Sequence, residues 1–476
     1  MTVSDEAIVV GSGPNGLAAA ITLAQAGLSV HVLEAAETLG GGMGTCELTI
    51  PGLLHDTCSA VHPFAAASPF LSRLPLAEHG LTWCYPEIDC AHPLDDGTVA
   101  LLHRSLDSTA EGLGPDGPRW RAAFGPLTRK ADDLVADALG PLVRVPRHPV
   151  AMAQLGLRAG LPATLLARAF RTEQARALFL GSAAHIWRPL DSPASSSVGA
   201  MMIAAGHRHG WPVVRGGSGE LAAALVSCAK SLGVEFTTGI RVTSLTGLPQ
   251  VSVLMFDTAP GAMADIAGDR LPARNSRAYR RFRHGPAAFK IDLAVDGGVP
   301  WRNPEVRRAG TVHIGGSARV MVEAERAVAN CRMPERPFIL LAQQHVADPT
   351  RSVGDIHPVY LYAHVPSGYD GDATETVLAE VERFAPGLRE RILATSVTTP
   401  AQLEARNPNY VAGDIVGGSN TLRGLFARPV RRANPYATGI PGVYLCSAST
   451  PPGAGTHGMS GHLAAVRAIR HLVSKG

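Results

Sequence analysis

The sequence predicts an α/β fold in which a Rossmann-like nucleotide-binding domain is assembled from separated segments and carries an inserted α+β substrate domain. Two observations predict it. The first 45 residues alternate between short apolar runs, glycine-rich turns and a helix, which is the order of a βαβ unit. Helix–strand units return after residue 216 and at the C-terminus, whereas the middle of the chain is mainly helical and then mixed. We expect these boundaries: 1–60, 206–270 and 425–476 for the nucleotide-binding domain, and 61–205 and 271–424 for the substrate domain.

The N-terminal unit is predicted from apolar spacing. Ala7–Val10 is a short apolar run that suits a buried parallel strand. Gly16–Ala26 carries alanine, leucine and isoleucine at helical spacing, and Gly27 follows where a helix often ends in a left-handed residue. Ser29–Leu33 is then the second strand.

The later elements are predicted in the same way. Pro162 should interrupt the helical pattern of Gln154–Arg168. The remaining predicted helices are Thr172–Ala184, Leu221–Ser231, Glu375–Phe384 and His462–Val473. The remaining predicted strands are Val234–Thr237, Val251–Phe256, Ala288–Val295, Phe338–Gln343, Val359–His364 and Gly442–Cys446.

Composition excludes several classes of protein. Of 476 residues, 46% are hydrophobic and 17% charged, which is typical of a globular chain, and a net charge of +3 argues against a nucleic-acid-binding protein. Seven cysteines without a C-x-x-C pair favour a reducing, cytoplasmic compartment. The polar segment Met1–Glu6 does not read as a signal peptide, and no apolar run is long enough to span a membrane.

The first chemical motif runs from Gly11 through Ser12, Gly13, Pro14 and Asn15 to Gly16. It follows a predicted strand, opens a helix, and has an acidic residue, Glu34, 18 positions after its last glycine. Glycines at these positions permit a tight turn and a close approach of the backbone to a pyrophosphate, which the helix N-terminus attracts. Glu34 would hold the ribose hydroxyls.

A second glycine cluster decides between the candidate dinucleotides. Gly40, Gly41, Gly42, Met43, Gly44 and Thr45 follow shortly after Glu34. A nicotinamide dehydrogenase has no need of this second loop, whereas a longer dinucleotide that lies extended through the domain does. The spacing resembles the FAD signature of the amine-oxidase and phytoene-desaturase superfamily, which is matched by Glu34, Gly40, Gly41 and Thr45. Gly42 and Gly44 depart from it, because relatives commonly have arginines there.

Two further motifs extend this resemblance along the chain. Residues 211–242 contain a Gly-Gly turn, a helix and a strand, and the resemblance implies that Val242 lies beside the adenine. Residues 442–465 contain a strand, a dense glycine loop and an alanine-rich helix, as at the end of phytoene-desaturase-related proteins. By this likeness, the residues that contact the flavin or its ribityl chain are Gly453, Gly455, Gly458, Met459 and Gly461. The segments 53–62 and 399–410 also resemble this family.

One departure from the family concerns the segment after Val242. Only eight residues separate Val242 from Val251, where relatives have a longer β-excursion. We therefore expect the sheet of the nucleotide-binding domain to be trimmed at this point.

Candidate catalytic groups are few, because in flavin chemistry the cofactor performs the redox step. A general base, if one is needed, would be a histidine near the domain junction: His62, His185, His207 or His457. No metal site is expected, since His207 and His209 have no further ligand cluster nearby in the sequence.

The resemblance implies an FAD-dependent dehydrogenase or desaturase that moves a hydride between flavin N5 and an apolar or amphipathic small molecule. One alternative is an amine-oxidase-like flavin oxidase, which the 5% aromatic content disfavours because amine substrates usually need an aromatic cage. Another is a flavin-binding protein with a structural or assembly role. The oligomeric state stays open.

Two surface segments suggest a peripheral membrane contact. The basic run 274–284 could meet anionic lipid, and the leucine-rich residues 155–170, with Arg158 and Arg168, could rest on a bilayer or line a tunnel. A solvated helix face and core packing are the alternatives.

Overall fold

The computed structural model describes residues 6–474. Residues 1–5 and 475–476, which belong to the outer segments of the predicted nucleotide-binding domain, lie outside the described residues. Residues 1–5 make up most of the polar segment Met1–Glu6. The strands are β1 (Glu6–Val10), β2 (Ser29–Leu33), β3 (Thr45–Cys46), β4 (His55–Asp56), β5 (Trp83–Cys84), β6 (Ile88–Pro93), β7 (Val99–Leu102), β8 (Val213–Val214), β9 (Glu235–Thr237), β10 (Val253–Phe256), β11 (Ala287–Asp296), β12 (Ala309–Ile314), β13 (Ile339–Ala342), β14 (Ile356–Val365), β15 (Ile392–Thr398) and β16 (Val443–Leu445).

The α-helices alternate with these strands at both ends and dominate the middle. They are α1 (Pro14–Gln25), α2 (Pro63–Ala66), α3 (Leu106–Gly112), α4 (Gly117–Thr128), α5 (Ala131–Ala138), α6 (Pro149–Ala159), α7 (Ala163–Ala167), α8 (Glu173–Ala184), α9 (Ser196–His209), α10 (Ser218–Ser231), α11 (Pro260–Ala267), α12 (Ala273–Arg280), α13 (Ala318–Ala329), α14 (Gln344–Ala347), α15 (Thr374–Glu382), α16 (Pro400–Arg406), α17 (Leu422–Ala427) and α18 (Met459–Val473).

A parallel five-stranded sheet has the order β16-β10-β1-β2-β9. Val9 in its central strand is opposite Met255 on one side and Val32 on the other. The strands come from the start, the middle and the end of the chain, so the sheet forms only when distant segments meet. The predicted α/β fold class with a Rossmann-like sheet is confirmed.

A second, mixed sheet of seven strands has the order β15-β11-β14-β13-β12-β6-β7. Its β6–β12 pair is parallel and its other pairs are antiparallel. Helices α8 and α9 pack on each other, and α8 also contacts β6, β7 and β12. Strands from both predicted segments of the substrate domain therefore share one sheet, while the domain boundaries themselves stay a prediction.

The predicted elements agree closely with the observed ones, and the differences have local causes. Pro162 precedes α7 and separates it from α6, as expected. Helix α18 begins at Met459 rather than at His462, because the preceding Gly458 adopts a left-handed conformation that starts the helix earlier. Among the described residues 238–252 no strand forms, which confirms that the first sheet is trimmed after Val242.

No helix within residues 6–474 combines the length and apolar character needed to cross a bilayer.

Candidate functional site

The first glycine turn joins β1 to α1 at the carboxyl end of the parallel sheet. Gly11 has a φ of +99°, which glycine adopts without strain, and its N–H donates to Leu33 O at 2.8 Å. A Cβ on Gly16 would lie 2.0 Å from Gly11 O. Pro14 occupies the first turn of α1, where its missing N–H is not needed. The turn has the strand–turn–helix geometry that binds a dinucleotide pyrophosphate in Rossmann-like domains.

Glu34 directly follows β2 and reaches back to this turn. Its Oε2 accepts hydrogen bonds from the backbone N–H and the hydroxyl of Ser12, each at 2.7 Å, and its Oε1 accepts from Ala36 N–H. The carboxylate is partly exposed, so it remains accessible beside the turn. Its contact with ribose stays a prediction.

The second glycine loop lies against the first. Gly40 N–H donates to the Ser12 hydroxyl at 3.1 Å, and a Cβ on Gly41 would lie 3.0 Å from Gly13 Cα. Gly40 and Gly41 have φ of +117° and +58°. The structure thus brings together the two loops that the sequence assigns to the dinucleotide.

Packing explains why Gly42 and Gly44 depart from the family pattern. A Cβ on Gly42 would lie 2.2 Å from the Tyr410 hydroxyl, and a Cβ on Gly44 would lie 2.6 Å from the Thr57 hydroxyl. Tyr410 comes from a distant part of the chain and fills the space that a larger side chain would need. The glycine at position 42, where relatives commonly have arginine, therefore leaves room for the Tyr410 side chain.

Thr45 belongs to a buried polar network. Its hydroxyl donates to Asp56 at 3.0 Å and accepts from Gly219 N–H at 2.9 Å. Arg351 forms ion pairs with Asp56 at 2.8 Å and with Asp348 at 3.2 Å, and all three charged side chains are almost fully buried. The Thr45 hydroxyl thus links the second glycine loop to the turn Gly216–Gly219 at the start of α10, which we call the third glycine turn. A contact of Thr45 with the cofactor stays a prediction.

Asp257 is a site residue that the sequence analysis missed. It directly follows β10, the neighbour of β1, and its Oδ2 accepts from Gly16 N–H at 2.9 Å. A Cβ on Gly13 would lie 2.6 Å from the same oxygen. Burial raises the pKa of Asp257 to about 7, against the Gly16 hydrogen bond, and Glu34 adds to the rise. The signal was present, since an acidic residue directly after a buried strand marks the sheet edge.

Val242 lies in the strandless segment after β9. Its side chain packs partly buried against the cluster around β10 and β16. Two residues earlier, Ile240 N–H donates to Glu34 O at 2.8 Å, which ties this segment to the second strand. The adenine contact of Val242 stays a prediction.

The C-terminal glycine loop enters α18, which packs on α1. A Cβ on Gly461 would lie 1.7 Å from Asn15 O, and a Cβ on Gly458 would lie 2.9 Å from Ala18 Cβ. These two glycines therefore allow the two helices to approach closely. Their packing role is sufficient to require glycine, and the contacts of Gly458, Met459 and Gly461 with the flavin stay predictions.

Two earlier glycines of the loop face other groups. A Cβ on Gly453 would lie 2.9 Å from Arg428 Nη1, and a Cβ on Gly455 would lie 3.0 Å from His457 and 3.3 Å from Phe64. Their φ values are +117° and +140°. This end of the loop thus lies between a buried guanidinium and two rings.

His457 has a defined tautomer. Met459 N–H donates to its Nδ1 at 3.0 Å, so the neutral ring carries its proton on Nε2. Within the described chain, the buried Nε2 has no hydrogen-bond partner. Burial lowers the pKa of His457 to about 4, so the ring is neutral at neutral pH.

His62 and His185 are also held as neutral rings. His62 Nε2 contacts the Ser218 hydroxyl at 2.9 Å, and His185 Nε2 contacts His313 Nε2 at 3.0 Å. Burial lowers the pKa of His62 to about 4 and that of His185 to about 3. His62 stays near the site through Ser218 in the third glycine turn, whereas His185 faces the histidine on β12.

His207 is fully engaged away from the glycine loops. Trp120 Nε1–H donates to its Nε2 at 3.1 Å, and its Nδ1 donates to His103 O at 3.0 Å. Both ring nitrogens therefore have partners within the helical region. The four histidines do not form one cluster, because each contacts a different partner.

An aromatic surface lines one face of the second sheet. Tyr360, Tyr362 and His364 alternate along β14, and Trp187 stacks on Tyr362 at 5.5 Å and on His364 at 3.7 Å between ring centroids. The Tyr360 hydroxyl donates to Cys58 O at 2.5 Å, and the next residue, Ser59, donates its N–H to Gly42 O at 3.1 Å, so the segment after β4 links this aromatic face to the second glycine loop. The sequence analysis missed it, although the alternation Tyr-Leu-Tyr-Ala-His was visible.

A cleft of about 170 Å³ lies beside α2. It is lined mainly by alanine and leucine, with Trp83 at one side, and the Trp83 ring lies 5.9 Å from the His62 ring. The lining residues include Ala65, Leu71, Leu74 and Leu81.

Known proteins resemble this chain in sequence and in fold. Residues 9–74 match the family described as NAD(P)-binding Rossmann-like domain. A hydroxyneurosporene desaturase of Rhodobacter capsulatus is 28% identical over 504 residues, which cover 96% of this chain and 95% of the desaturase. The chain is an FAD-dependent oxidoreductase related to the phytoene desaturases. The oxidoreductase is also 25% identical to a mouse (Mus musculus) pyridine nucleotide-disulfide oxidoreductase domain-containing protein 2 over 560 residues, 98% of this chain and 94% of that protein.

The fold of the oxidoreductase is shared with solved structures. A putrescine oxidase bound to putrescine superposes with a TM-score of 0.62 at 19% identity and covers 99% of both chains. This likeness supports the arrangement of a Rossmann-like sheet with a second sheet-based part.

The residues at the glycine loops of the oxidoreductase fit FAD. Three separated glycine loops converge on the start of α1, and one buried polar atom there, Asn15 Oδ1, has no partner among residues 6–474. Unsatisfied buried polar groups are costly, and a bound dinucleotide supplies acceptors and donors at such a place. The first two loops would hold the pyrophosphate, Glu34 the ribose, and the C-terminal loop the flavin end.

Proposed function

We propose that the oxidoreductase dehydrogenates an apolar or amphipathic small molecule. When bound, FAD supplies the hydride-accepting chemistry. The chain itself binds the dinucleotide through its glycine loops, excludes water with its buried aromatic face, and orients the substrate between that face and the cofactor. The similarity to a hydroxyneurosporene desaturase along almost the whole chain is the observation that carries this proposal.

The shape and polarity of the site support a substrate with a large apolar part. The cleft beside α2 is lined by alanine and leucine, and Trp187, Tyr360 and Tyr362 form a further apolar surface. Neutral His62 and His457 add hydrogen-bonding groups without adding charge, because burial lowers the pKa of each to about 4. The reacting part of a substrate would therefore contact uncharged side chains rather than charged ones.

Anaerobic mixing tests the proposal. The purified protein is expected to carry FAD, and polyene hydrocarbons or long-chain alkenes should bleach its absorption near 450 nm in a single turnover. Bleaching by amines alone would overturn the dehydrogenase assignment. A chain that contains no flavin and takes up none would overturn the proposed cofactor site as well.

The aromatic face favours a second candidate, an amine-oxidase-like flavin oxidase. The sequence argument against an aromatic cage considered composition, whereas the aromatic side chains that meet come from β14 and from Trp187. Peroxide release in air with primary amines, but not with alkenes, would select this candidate.

We also propose that the oxidoreductase works in a reducing compartment, the cytoplasm, and contacts a membrane at its surface. All seven cysteines are free, which supports the first part. Exposed apolar side chains occur along α6 and the segment before it, with Val145 90% and Leu157 74% exposed, and Arg147 and Arg158 belong to the same stretch of chain. Exposed apolar side chains mixed with arginines are typical of surfaces that insert between anionic lipid head groups. The basic helix α12, by contrast, buries Tyr279 and Asn275.

A further inference from the structure

Two arginines converge on one asparagine between the two parts of the molecule. Arg428 Nη2 donates to Asn420 Oδ1 at 2.5 Å, and Arg188 Nη1 donates to Asn420 O at 3.0 Å. Asn420 Nδ2 in turn donates to Ile186 O, so the asparagine holds the loop after α8 in place. The two guanidinium groups are thus positioned by the same residue, and Arg428 also donates to the backbone oxygens of Gly424 at 2.8 Å and Ala448 at 3.4 Å, which carry no full charge.

Neither arginine has an ionic partner. Within residues 6–474 no carboxylate lies within ion-pair distance of Arg188 or Arg428, although Arg428 is only 3% exposed. Asp414 acts on Arg428 from a distance, but its oxygens already accept from His284 and from backbone N–H groups, namely those of Gly285, Val416, Gly417 and Gly418.

An unpaired buried cation is unfavourable. A charge that is removed from water without an ionic partner loses much of its solvation free energy. Burial accordingly lowers the pKa of Arg428 to about 10 and lowers that of Arg188 as well. A bound anion would remove this cost.

The position of the pair indicates which ligand it meets. Arg428 Nη1 would lie 2.9 Å from a Cβ on Gly453 in the C-terminal glycine loop. Arg188 directly follows Trp187, which stacks on Tyr362 in the aromatic face. The two guanidinium groups therefore lie where the predicted flavin loop meets the face that we assign to the substrate.

We propose that Arg428 and Arg188 bind a carboxylate head group of the substrate, whose apolar part lies along the aromatic face. This inference rests on the proposed function and narrows its substrate class to amphipathic anions. The planar fork of a guanidinium matches the two oxygens of a carboxylate. Arg188 uses only Nη1 in its described hydrogen bond, so its Nε and Nη2 would meet the carboxylate, and Arg428 would add a second positive charge.

Isothermal titration of the purified holoprotein with decanoate and with 1-decanol tests the proposal, because the two probes share a chain length and differ in the head group. We expect decanoate to bind at least about tenfold more tightly, a difference of about 1.4 kcal/mol. Arg188→Gln and Arg428→Gln should each reduce the ratio of the two affinities towards one, whereas the exposed Arg319→Gln should leave it unchanged. FAD content is measured from the absorption spectrum of each variant.

The outcomes separate the possible roles. Equal affinities for both probes in the unaltered protein, or a ratio unchanged by Arg188→Gln, would overturn the carboxylate site. Loss of FAD from Arg428→Gln with an unchanged ratio in Arg188→Gln would assign the guanidinium to the cofactor and also overturn it. If Arg428→Gln does not fold, the half-buried Arg188→Gln decides alone. Absence of flavin from the unaltered protein contradicts the proposed function, and the probe ratio still reports on the anion site.

Discussion

Asp257 places a carboxyl group among the glycines of the first turn, and several groups with negative or polar character surround it. Glu34 faces it from the second strand, Tyr410 from the loop after α16, and Cys446 from the end of β16. The carboxyl group of Asp257 accepts one described hydrogen bond, from Gly16 N–H. The sequence motif predicted the glycines because their spacing is local. The place of Asp257 directly after a buried strand was a signal for the sheet edge, but its contact with this turn could not be predicted, because it forms only when β10 pairs with β1.

Gly13→Ala should reduce FAD retention without unfolding the protein. The new Cβ would lie 2.6 Å from Asp257 Oδ2, so the carboxyl group or the turn must move, and either movement disturbs the pyrophosphate site. We expect the FAD dissociation constant to rise at least about tenfold in a fluorescence titration. Gly261→Ala in α11 is the matched control, since nothing lies within 4 Å of its Cβ. Full flavin retention in Gly13→Ala would contradict the assignment.

Asp257→Asn should change how stability depends on pH. The ordinary pKa is 3.8 and the folded pKa is about 7, so between these values the folded chain holds a proton that the unfolded chain releases. The contribution of this group to the free energy of unfolding therefore falls as the pH rises from about 4 to about 7, by up to about 1.4 kcal/mol per pH unit. Urea unfolding at pH 5 and pH 8 should show that the free energy of unfolding of the variant increases relative to that of the unaltered chain as the pH rises. A constant difference between the two proteins would refute the raised pKa.

At the scale of secondary-structure elements, buried carboxylates and an arginine join the start of α10, at the third glycine turn, to distant parts of the chain. Asp348 Oδ2 accepts from Gly216 N–H at 2.7 Å, and Asp56 Oδ1 accepts from Ser218 N–H at 2.7 Å, so two carboxylates fix the start of α10. Arg351 pairs with both carboxylates. The sequence predicted the helix and the turn from periodicity and glycines, but the carboxylates lie about 130 to 160 positions away and carry no local signal.

Arg351→Met should destabilise the protein strongly, because two buried carboxylates would lose their cation. Breaking a buried ion pair in this way costs on the order of 3–5 kcal/mol. The free energy of unfolding in urea measures the effect, and Arg319→Met on the exposed face of α13 is the control, with less than about 1 kcal/mol expected. A small effect at Arg351 would mean that the carboxylates find other partners or protonate.

At the scale of the whole molecule, the two sheets meet at surfaces that no single segment specifies. The first sheet was predictable because each of its strands is a short apolar run next to a turn or helix signal. The assembly of the aromatic face and of the arginine pair was not, since Trp187, Tyr362 and the stretch from Asn420 to Arg428 belong to three separate segments. Periodicity reports which side of an element is buried, but it does not report which distant element covers that side.

Membrane contact through the exposed apolar side chains around α6 is also a property of the whole molecule, because the molecule must be able to lie on a bilayer with this side. Flotation with vesicles of phosphatidylcholine and phosphatidylglycerol should recover the oxidoreductase in the lipid fraction, and salt at about 1 M should weaken recovery by screening the arginines. Val145→Asp combined with Leu157→Asp should reduce recovery severalfold without loss of stability, because both side chains are 74% exposed or more. Leu393→Asp, at an apolar residue 55% exposed on β15, is the control. Equal recovery of all three proteins would show that this surface does not contact lipid, and the basic helix α12 would then be the next surface to alter.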